Sequence, residues 1–110
     1  MTERRKYILR YLPLFYNDLE SAVDYISFKL KNIPAANNLI NEIETAIKDR
    51  IPCCESFEQY HSIKERKYPY YRIYVKNYTI YYVVIDDEGE DKIMEVRRLL
   101  NDRQARDKYI

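Results

Sequence analysis

Residues 68–101 form the stretch that most constrains the fold, because they are dense in tyrosine, isoleucine and valine and poor in strong helix formers. Aromatic and β-branched side chains suit the pleated, half-buried surface of a sheet. The predicted strands are Tyr70–Val75, Tyr78–Ile85 and Lys92–Leu100. The tight turn at Lys76-Asn77, where asparagine tolerates left-handed geometry, and the acidic segment 86–91 connect them. The stretch therefore predicts a three-stranded antiparallel meander.

Two segments before this stretch carry apolar residues at helical spacing. The first helix is predicted from Pro13 to about Lys31, and the second from the break at Asn32-Ile33-Pro34 to just before Pro52. Each has a proline in its first turn. Because the link between them is short, the pair is expected to pack as an antiparallel helical hairpin.

The remaining segments complete an α+β fold. Lys6–Leu12 alternates as a short strand, expected at an edge of the sheet or beside the last strand. Residues 52–67 lack periodicity and are predicted to form a loop, and Asn101–Ile110 a short helix or an arm. A chain of 110 residues is expected to be one domain, 1–110, with the helical hairpin on one face of the sheet and the other face open for binding.

Composition excludes several function classes. A single glycine is incompatible with a glycine-rich phosphate loop, which excludes nucleotide binding of the P-loop or Rossmann kind. No apolar run has the length of a membrane span, and no signal peptide is recognisable, so a cytoplasmic protein without membrane contact is predicted. Cys53 and Cys54 are adjacent and His61 is the only histidine, which predicts reduced thiols, no metal and no cofactor.

Basic residues cluster although the net charge is only +1. They concentrate in residues 1–12, 61–82 and 97–108, whereas the acids lie on the helical segments and in 86–91. The folded domain is therefore expected to have a basic and an acidic face, or else a mixed solvated surface.

Alternation along the first strand of the meander places Tyr70, Arg72, Tyr74 and Lys76 on one face and Tyr71, Ile73 and Val75 on the other. The apolar set is expected to meet the helices. The outward set is typical of a single-stranded RNA surface, since cations bind phosphates and tyrosine rings stack on bases. It is equally compatible with tyrosine as a good strand residue and with solubilising charge.

Two arginines lie in the last strand. Arg97 shares its face with Glu95 and is expected to pair with a local acid. Arg98 has the parity of the core-facing Val96, unless a bulge turns it outward. An arginine held in this way suits a phosphate or a partner's carboxylate, or forms a structural salt bridge.

The sequence contains no recognisable nucleophile–base constellation. An enzyme built from this chain would work by positioning and charge, with arginine, lysine and tyrosine as its acid–base groups. Ribonucleases in which the 2′-hydroxyl of the RNA attacks can use such a set.

The order of these motifs resembles the RelE/ParE superfamily of type II toxin–antitoxin toxins. The resemblance rests on Asp18-Leu19 in the first helix, on Arg72 to Tyr82, on the acidic turn and on Val96 to Gln104. It implies a RelE/ParE-like fold with one sheet, and it covers nearly the whole chain. This sequence departs from the family pattern at Thr79, where many members have a basic residue, and at Asn101, where ribosome-dependent nucleases often have histidine.

The resemblance also implies site residues. The implied catalytic residues are Arg72, Arg98, Arg103 and Tyr109. The implied RNA-binding residues are Tyr70, Tyr74, Lys76, Tyr78, Arg97 and Asn101.

Two activities follow from the resemblance. The first, which is the predicted one because the tyrosine, arginine and lysine side chains of the sheet favour it, is an mRNA interferase, an endoribonuclease that cleaves mRNA on the ribosome. The second, the alternative that the departures at Thr79 and Asn101 favour, is a ParE-like toxin that inhibits DNA gyrase by protein–protein contact without nuclease activity; a bare interaction module is a third reading. Each implies a cognate antitoxin, a small acidic or amphipathic partner that wraps the helical hairpin and covers the basic sheet face.

Overall fold

The structure, a computed structural model, describes residues 7–61, 67–86, 91–104 and 106–110. The strands are β1 (Tyr7–Tyr11), β2 (Gln59–Tyr60), β3 (Tyr70–Val75), β4 (Tyr78–Ile85) and β5 (Lys92–Asn101). The helices are α1 (Pro13–Asp24), continued by a π-helical turn (Tyr25–Lys29), α2 (Ile33–Arg50), a 3-10 turn (Ile51–Cys53) and the four-residue α3 (Arg106–Tyr109). The predicted α+β class is confirmed. Lys6 and residues 62–66 and 87–90 of the predicted elements lie outside the described residues.

The five strands form one mixed sheet in the order β1-β5-β4-β3-β2. β1 runs parallel to β5 at one edge, which confirms its predicted place, while the other pairs are antiparallel. The predicted loop 52–67 is wrong at Gln59–Tyr60, which pair with Tyr70 and Tyr71 of β3. A two-residue strand is too short to show alternation, so the sequence does not reveal it.

The turn between β3 and β4 also differs from expectation in one detail. The positive φ, 53°, belongs to Lys76 and not to Asn77. Asparagine tolerates this region better than lysine does, so the position is set by the hairpin register, in which Val75 pairs with Tyr78.

The main core lies between the helical hairpin and one face of the sheet. Phe15 of α1 and Leu39, Ile43 and Ile47 of α2 are buried against alternate residues of the strands, such as Ile80 of the central strand β4. Burying each large aliphatic side chain contributes about 1.5–3 kcal/mol. The spacing of apolar residues in the helices and the alternation in the strands therefore identify the same interface.

The outer face of the sheet, opposite the helical hairpin, is not open as predicted. It carries a second buried cluster that consists of Tyr70, Tyr81, Val83, Ile85, Ile93, Leu100 and Ile110, with Tyr109 packed against it. Ile110 has no exposed surface. The segment after β5 therefore closes part of the face that was expected to bind RNA.

Tyr82 anchors the segment between α2 and β2. Its hydroxyl donates to the Cys54 carbonyl at 2.7 Å and accepts from Arg50 Nη1 at 3.0 Å. Its ring stacks on Tyr71 with centroids 5.2 Å apart. Burial raises the pKa of Tyr82 to about 12 and that of the adjacent, fully buried Cys54 thiol to about 11.

We expect the protein to lose stability between about pH 9 and 11, because the Cys54 thiol ionises near 9.0 when unfolded but near 11 when folded. In that window the folded state binds more protons than the unfolded state, so the free energy of unfolding falls by about 2 kcal/mol as pH rises. Urea titrations from pH 8 to 11 measure this loss. Tyr82, whose pKa rises from 10.0 to about 12, adds its own loss above pH 10. Cys54→Ala should therefore make the limb shallower, most clearly between pH 9 and 10, without abolishing it. Cys53→Ala, at an exposed position, should leave the limb unchanged; equal limbs in all three proteins would contradict the assignment.

Candidate functional site

A bulge in β5 sets the orientation of the two arginines. Tyr81 of β4 pairs with Arg98 and Tyr82 pairs with Val96, so Arg97 is an extra residue that pairs with no residue of β4. Because the bulge shifts the alternation by one, Arg98 shares the outer face with Tyr81 and not the core face with Val96.

Arg98 is held by Asp18 of α1. Its Nε and Nη2 donate to the two carboxylate oxygens at 2.7 and 2.9 Å, and the Leu99 backbone N–H donates to the same carboxylate at 3.0 Å. This contact lies where the edge of β5 is free, since β1 has ended at the Tyr11–Val96 pair. Hydrogen bonding to Asp18 raises the pKa of Arg98. The guanidinium is thus permanently charged and already neutralised by an internal carboxylate.

A cavity of about 430 Å³ adjoins this ion pair. We call it the Arg98 pocket; its lining includes Asp18, Tyr25, Arg98, Asn101, Gln104 and Tyr109. The Tyr109 ring lies 5.1 Å from the Arg98 guanidinium carbon. The pocket therefore offers hydroxyls, amides and a paired arginine. Among its described lining residues, the one carboxylate is Asp18, which already binds the cation.

Arg72 lies on the same face but its charge is directed elsewhere. Arg72 and Arg98 both pair with Tyr81, so their backbones are about 10 Å apart across the sheet. The Arg72 guanidinium carbon lies 4.8 Å from the ring centre of Tyr60 and 5.8 Å from that of Tyr74. Because Tyr60 belongs to the β2 edge and Asp18 lies beyond the β5 edge, the two guanidinium groups diverge.

Glu95 is a buried carboxylate shared by two arginines. It accepts from Arg10 Nε at 2.7 Å and from Arg97 Nε at 2.8 Å, and its side chain is 5% exposed. The expected local pairing of Arg97 with Glu95 is confirmed. Arg97 is thereby engaged in holding β1 and β5 together through their common acid.

A family model described as ParE toxin of type II toxin-antitoxin system, parDE, matches residues 9–106, from β1 to the start of α3. The chain belongs to the ParE toxin family. It is therefore a toxin of a type II toxin–antitoxin system, for which a cognate antitoxin is the family's partner. No curated protein matches the chain in sequence. Within the described ranges, none of the helices is long and apolar enough to cross a membrane.

The other predicted site residues of this ParE-family chain are scattered. Tyr70 and Tyr78 are 3% and 7% exposed and belong to the two cores, so neither ring is accessible to a base. Tyr74 is 65% exposed. Lys76 contacts Glu42 of α2 at 3.5 Å and so points toward the helices. Arg103 is exposed, and its backbone N–H donates to Asn101 Oδ1 at 2.9 Å.

The two departures from the superfamily pattern have structural partners in this ParE-family chain. Thr79 is buried and its hydroxyl donates to Asp102 at 2.9 Å. Asn101 caps the turn that follows β5, since its side chain binds Arg103 and its backbone N–H donates to Gln104 Oε1 at 2.6 Å. Both side chains stabilise the end of the sheet. Among the residues that the structure describes, no three His, Cys, Asp or Glu side chains are grouped to hold a metal ion.

Sequence reasoning missed Asp18 and Tyr60 as the neighbours of the two arginines. A signal for Asp18 exists in the helical spacing. Phe15, Asp18 and Ala22 lie on one face of α1 at steps of three and four, and Phe15 and Ala22 are buried. An acid on a buried stripe indicates a cationic partner. Tyr60 has no such signal, since it lies in a segment without periodicity.

Proposed function

We propose that this ParE-family toxin inhibits DNA gyrase by protein–protein contact and does not cleave mRNA. The observation that carries the proposal is the bidentate bond between Asp18 and Arg98. A ribonuclease that works by charge needs a cation available to the negative charge that develops on the phosphate oxygens. A phosphate approaching Arg98 would meet the Asp18 carboxylate in the same place, and the like charges would repel.

The divergence of the arginines supports the same proposal. Phosphoryl chemistry by positioning needs its cations to converge on one phosphate. Arg98 bonds to Asp18 at one edge of the sheet, while Arg72 stacks on Tyr60 at the other. Thr79 and Asn101, the departures from the nuclease pattern, have side chains that already serve the fold.

Cleavage of mRNA is the second candidate, and one observation favours it. Tyr74 is the most exposed residue of the sheet's aromatic set, and it lies beside the Arg72 guanidinium. An exposed ring next to a cation can stack on a base and bind the adjoining phosphate. This pair provides an RNA contact but no base or acid placed to move a proton.

The antitoxin in this proposal silences the toxin by occupancy. An acidic partner segment is attracted by positive groups such as Arg72, Arg103 and Lys108, which supports the expected covering of the sheet face. The expected contact with the helical hairpin stays a prediction.

Supercoiling by purified gyrase tests the proposal. Addition of the toxin to gyrase, ATP and relaxed plasmid is expected to reduce the supercoiled product, and prior addition of the antitoxin should restore it. Toxin that arrests growth in cells yet leaves supercoiling unchanged at every concentration would refute gyrase as the target.

A further inference from the structure

The turn that joins the two long helices exposes an unusual amount of apolar surface. We call residues 25–33 the hairpin tip. Within it Tyr25, Phe28, Leu30 and Ile33 are 50%, 73%, 55% and 61% exposed. Scattered exposed apolar residues are ordinary, but four within nine residues concentrate apolar surface at one turn, with Tyr25 at its border with the Arg98 pocket. Concentrated exposed apolar surface marks interaction sites.

The backbone holds this patch in a costly conformation. The last turn of the first helix is π-helical, with Leu30 N–H bonded to the Tyr25 carbonyl at 3.1 Å, and Asn32 N–H bonds to the Ile26 carbonyl at 3.0 Å. Lys31 between them has a φ of 53°, in the left-handed region that favours glycine. Single-turn π-helices and non-glycine residues in this region are enriched at functional sites.

The start of α2 fixes the other side of the tip. Asn32 caps the helix, its side chain accepting from the Ala35 backbone N–H at 3.1 Å, and Pro34 follows in the first turn. The tip is therefore a rigid turn. Rigid presentation lowers the entropic cost of binding and favours an interaction surface.

Positive charge borders the apolar patch. Lys29 and Lys31 are exposed, and neither ammonium is ion-paired with any acid among the described residues. Lys76 and Lys92, by contrast, pair with Glu42 and Glu55. An apolar centre with a cationic rim is complementary to an apolar pocket rimmed by carboxylates.

The shape of the tip favours a folded partner over an extended segment. An extended or helical peptide binds in a groove or along a sheet edge. A turn between two helices is convex, so its most exposed side chain, Phe28, is suited to insert into a concavity on another protein. Such inserted aromatic residues carry much of the binding energy at interfaces.

We propose that the hairpin tip docks into an apolar, carboxylate-rimmed pocket on the folded protein that the toxin inhibits. The inference rests on the proposed function for the identity of that protein, DNA gyrase. The antitoxin is then expected on the sheet face and along the flanks of the helical hairpin, and the tip is a determinant of toxicity separate from antitoxin recognition.

The test uses the double variant Phe28→Ser/Leu30→Ser. Because both side chains are more than half exposed, the fold should be kept, which a thermal melt verifies. The matched control is Ile8→Thr/Leu14→Ser, at positions that are each 51% exposed but lie outside the tip. We expect the tip variant to inhibit supercoiling about 30-fold less well than the unaltered toxin. It should still co-purify with the antitoxin. The control variant should match the unaltered toxin in both measurements.

Two results would overturn the inference. The first is unchanged inhibition of gyrase by the tip variant. The second is loss of antitoxin binding while inhibition is kept, which would assign the tip to the antitoxin. Lys29→Glu/Lys31→Glu extends the test, since reversed charge at the rim should weaken inhibition and unchanged inhibition would contradict the carboxylate-rimmed pocket.

Failure of the proposed function has a different signature. In that case the unaltered toxin leaves supercoiling intact, and growth arrest in cells replaces inhibition as the readout. Growth arrest that is lost in the tip variant but kept in the control supports a folded target other than gyrase, whereas arrest by both variants overturns the tip.

Discussion

Replacing Asp18 with alanine is expected to lower the free energy of unfolding by about 3 kcal/mol. The carboxylate accepts three hydrogen bonds, two from the Arg98 guanidinium and one from the Leu99 backbone N–H. Both members of the ion pair are about 85% buried, with side chains 15% and 14% exposed. The substitution leaves a charged guanidinium in that environment without its counter-ion, which costs more than the loss of a surface pair.

Asp24→Ala provides the matched control, because Asp24 lies in the same helix but is exposed. Its effect should stay within about 0.5 kcal/mol. Urea unfolding followed by circular dichroism measures both variants. Similar urea midpoints for the two variants would mean that the Asp18–Arg98 pair does not hold α1 against β5. They would also contradict the proposal that Asp18 neutralises Arg98.

Glu95→Gln is expected to destabilise the protein by about 3 kcal/mol, since an amide replaces the carboxylate that Arg10 and Arg97 share. The side chain keeps its shape, so the loss reflects charge and hydrogen bonding and not a cavity. Glu44→Gln is the control, because Glu44 forms an exposed pair with Lys48 at 4.0 Å and should contribute about 0.3–0.5 kcal/mol at most.

Salt dependence distinguishes the two glutamates further. Screening acts weakly on a buried pair and strongly on an exposed one. Glu95 is 5% exposed but its partner Arg10 is 41% exposed. The difference in unfolding free energy between Glu95→Gln and the unaltered protein should therefore shrink less in high salt than the effect of Glu44→Gln. A Glu95→Gln protein as stable as the Glu44→Gln control would show that the buried acid does not join β1 to β5.

The regular parts of the fold follow from local patterns. Apolar residues at steps of three and four predict both long helices, and β-branched and aromatic runs predict β3, β4 and β5 within one residue. Single residues decide the rest. Ile110 closes the second core although it is one apolar residue in a charged tail, and the bulge at Arg97 depends on how β5 meets both of its neighbours. Neither the burial of Ile110 nor the bulge at Arg97 produces a periodic pattern in the sequence.

The candidate site divides in the same way. The pairing of Arg97 with Glu95 is predictable from alternation because the two residues are adjacent on one strand. The bond between Asp18 and Arg98 joins residues 80 positions apart, so it appears only when α1 is packed against the free edge of β5. That bond gives Arg98 an internal carboxylate partner, and the proposal that Arg98 is a structural cation rests on it.

One reaction tests the central claim that this toxin acts by protein contact and not by RNA cleavage. Purified toxin is added to a cell-free transcription–translation system that also contains gyrase and a relaxed reporter plasmid. Message integrity is read by primer extension and plasmid topology by gel. Our proposal predicts loss of supercoiling with full-length message, reversed by the antitoxin. Message cut at defined codons with supercoiling unaffected, and cleavage abolished by Arg98→Ala, would contradict it.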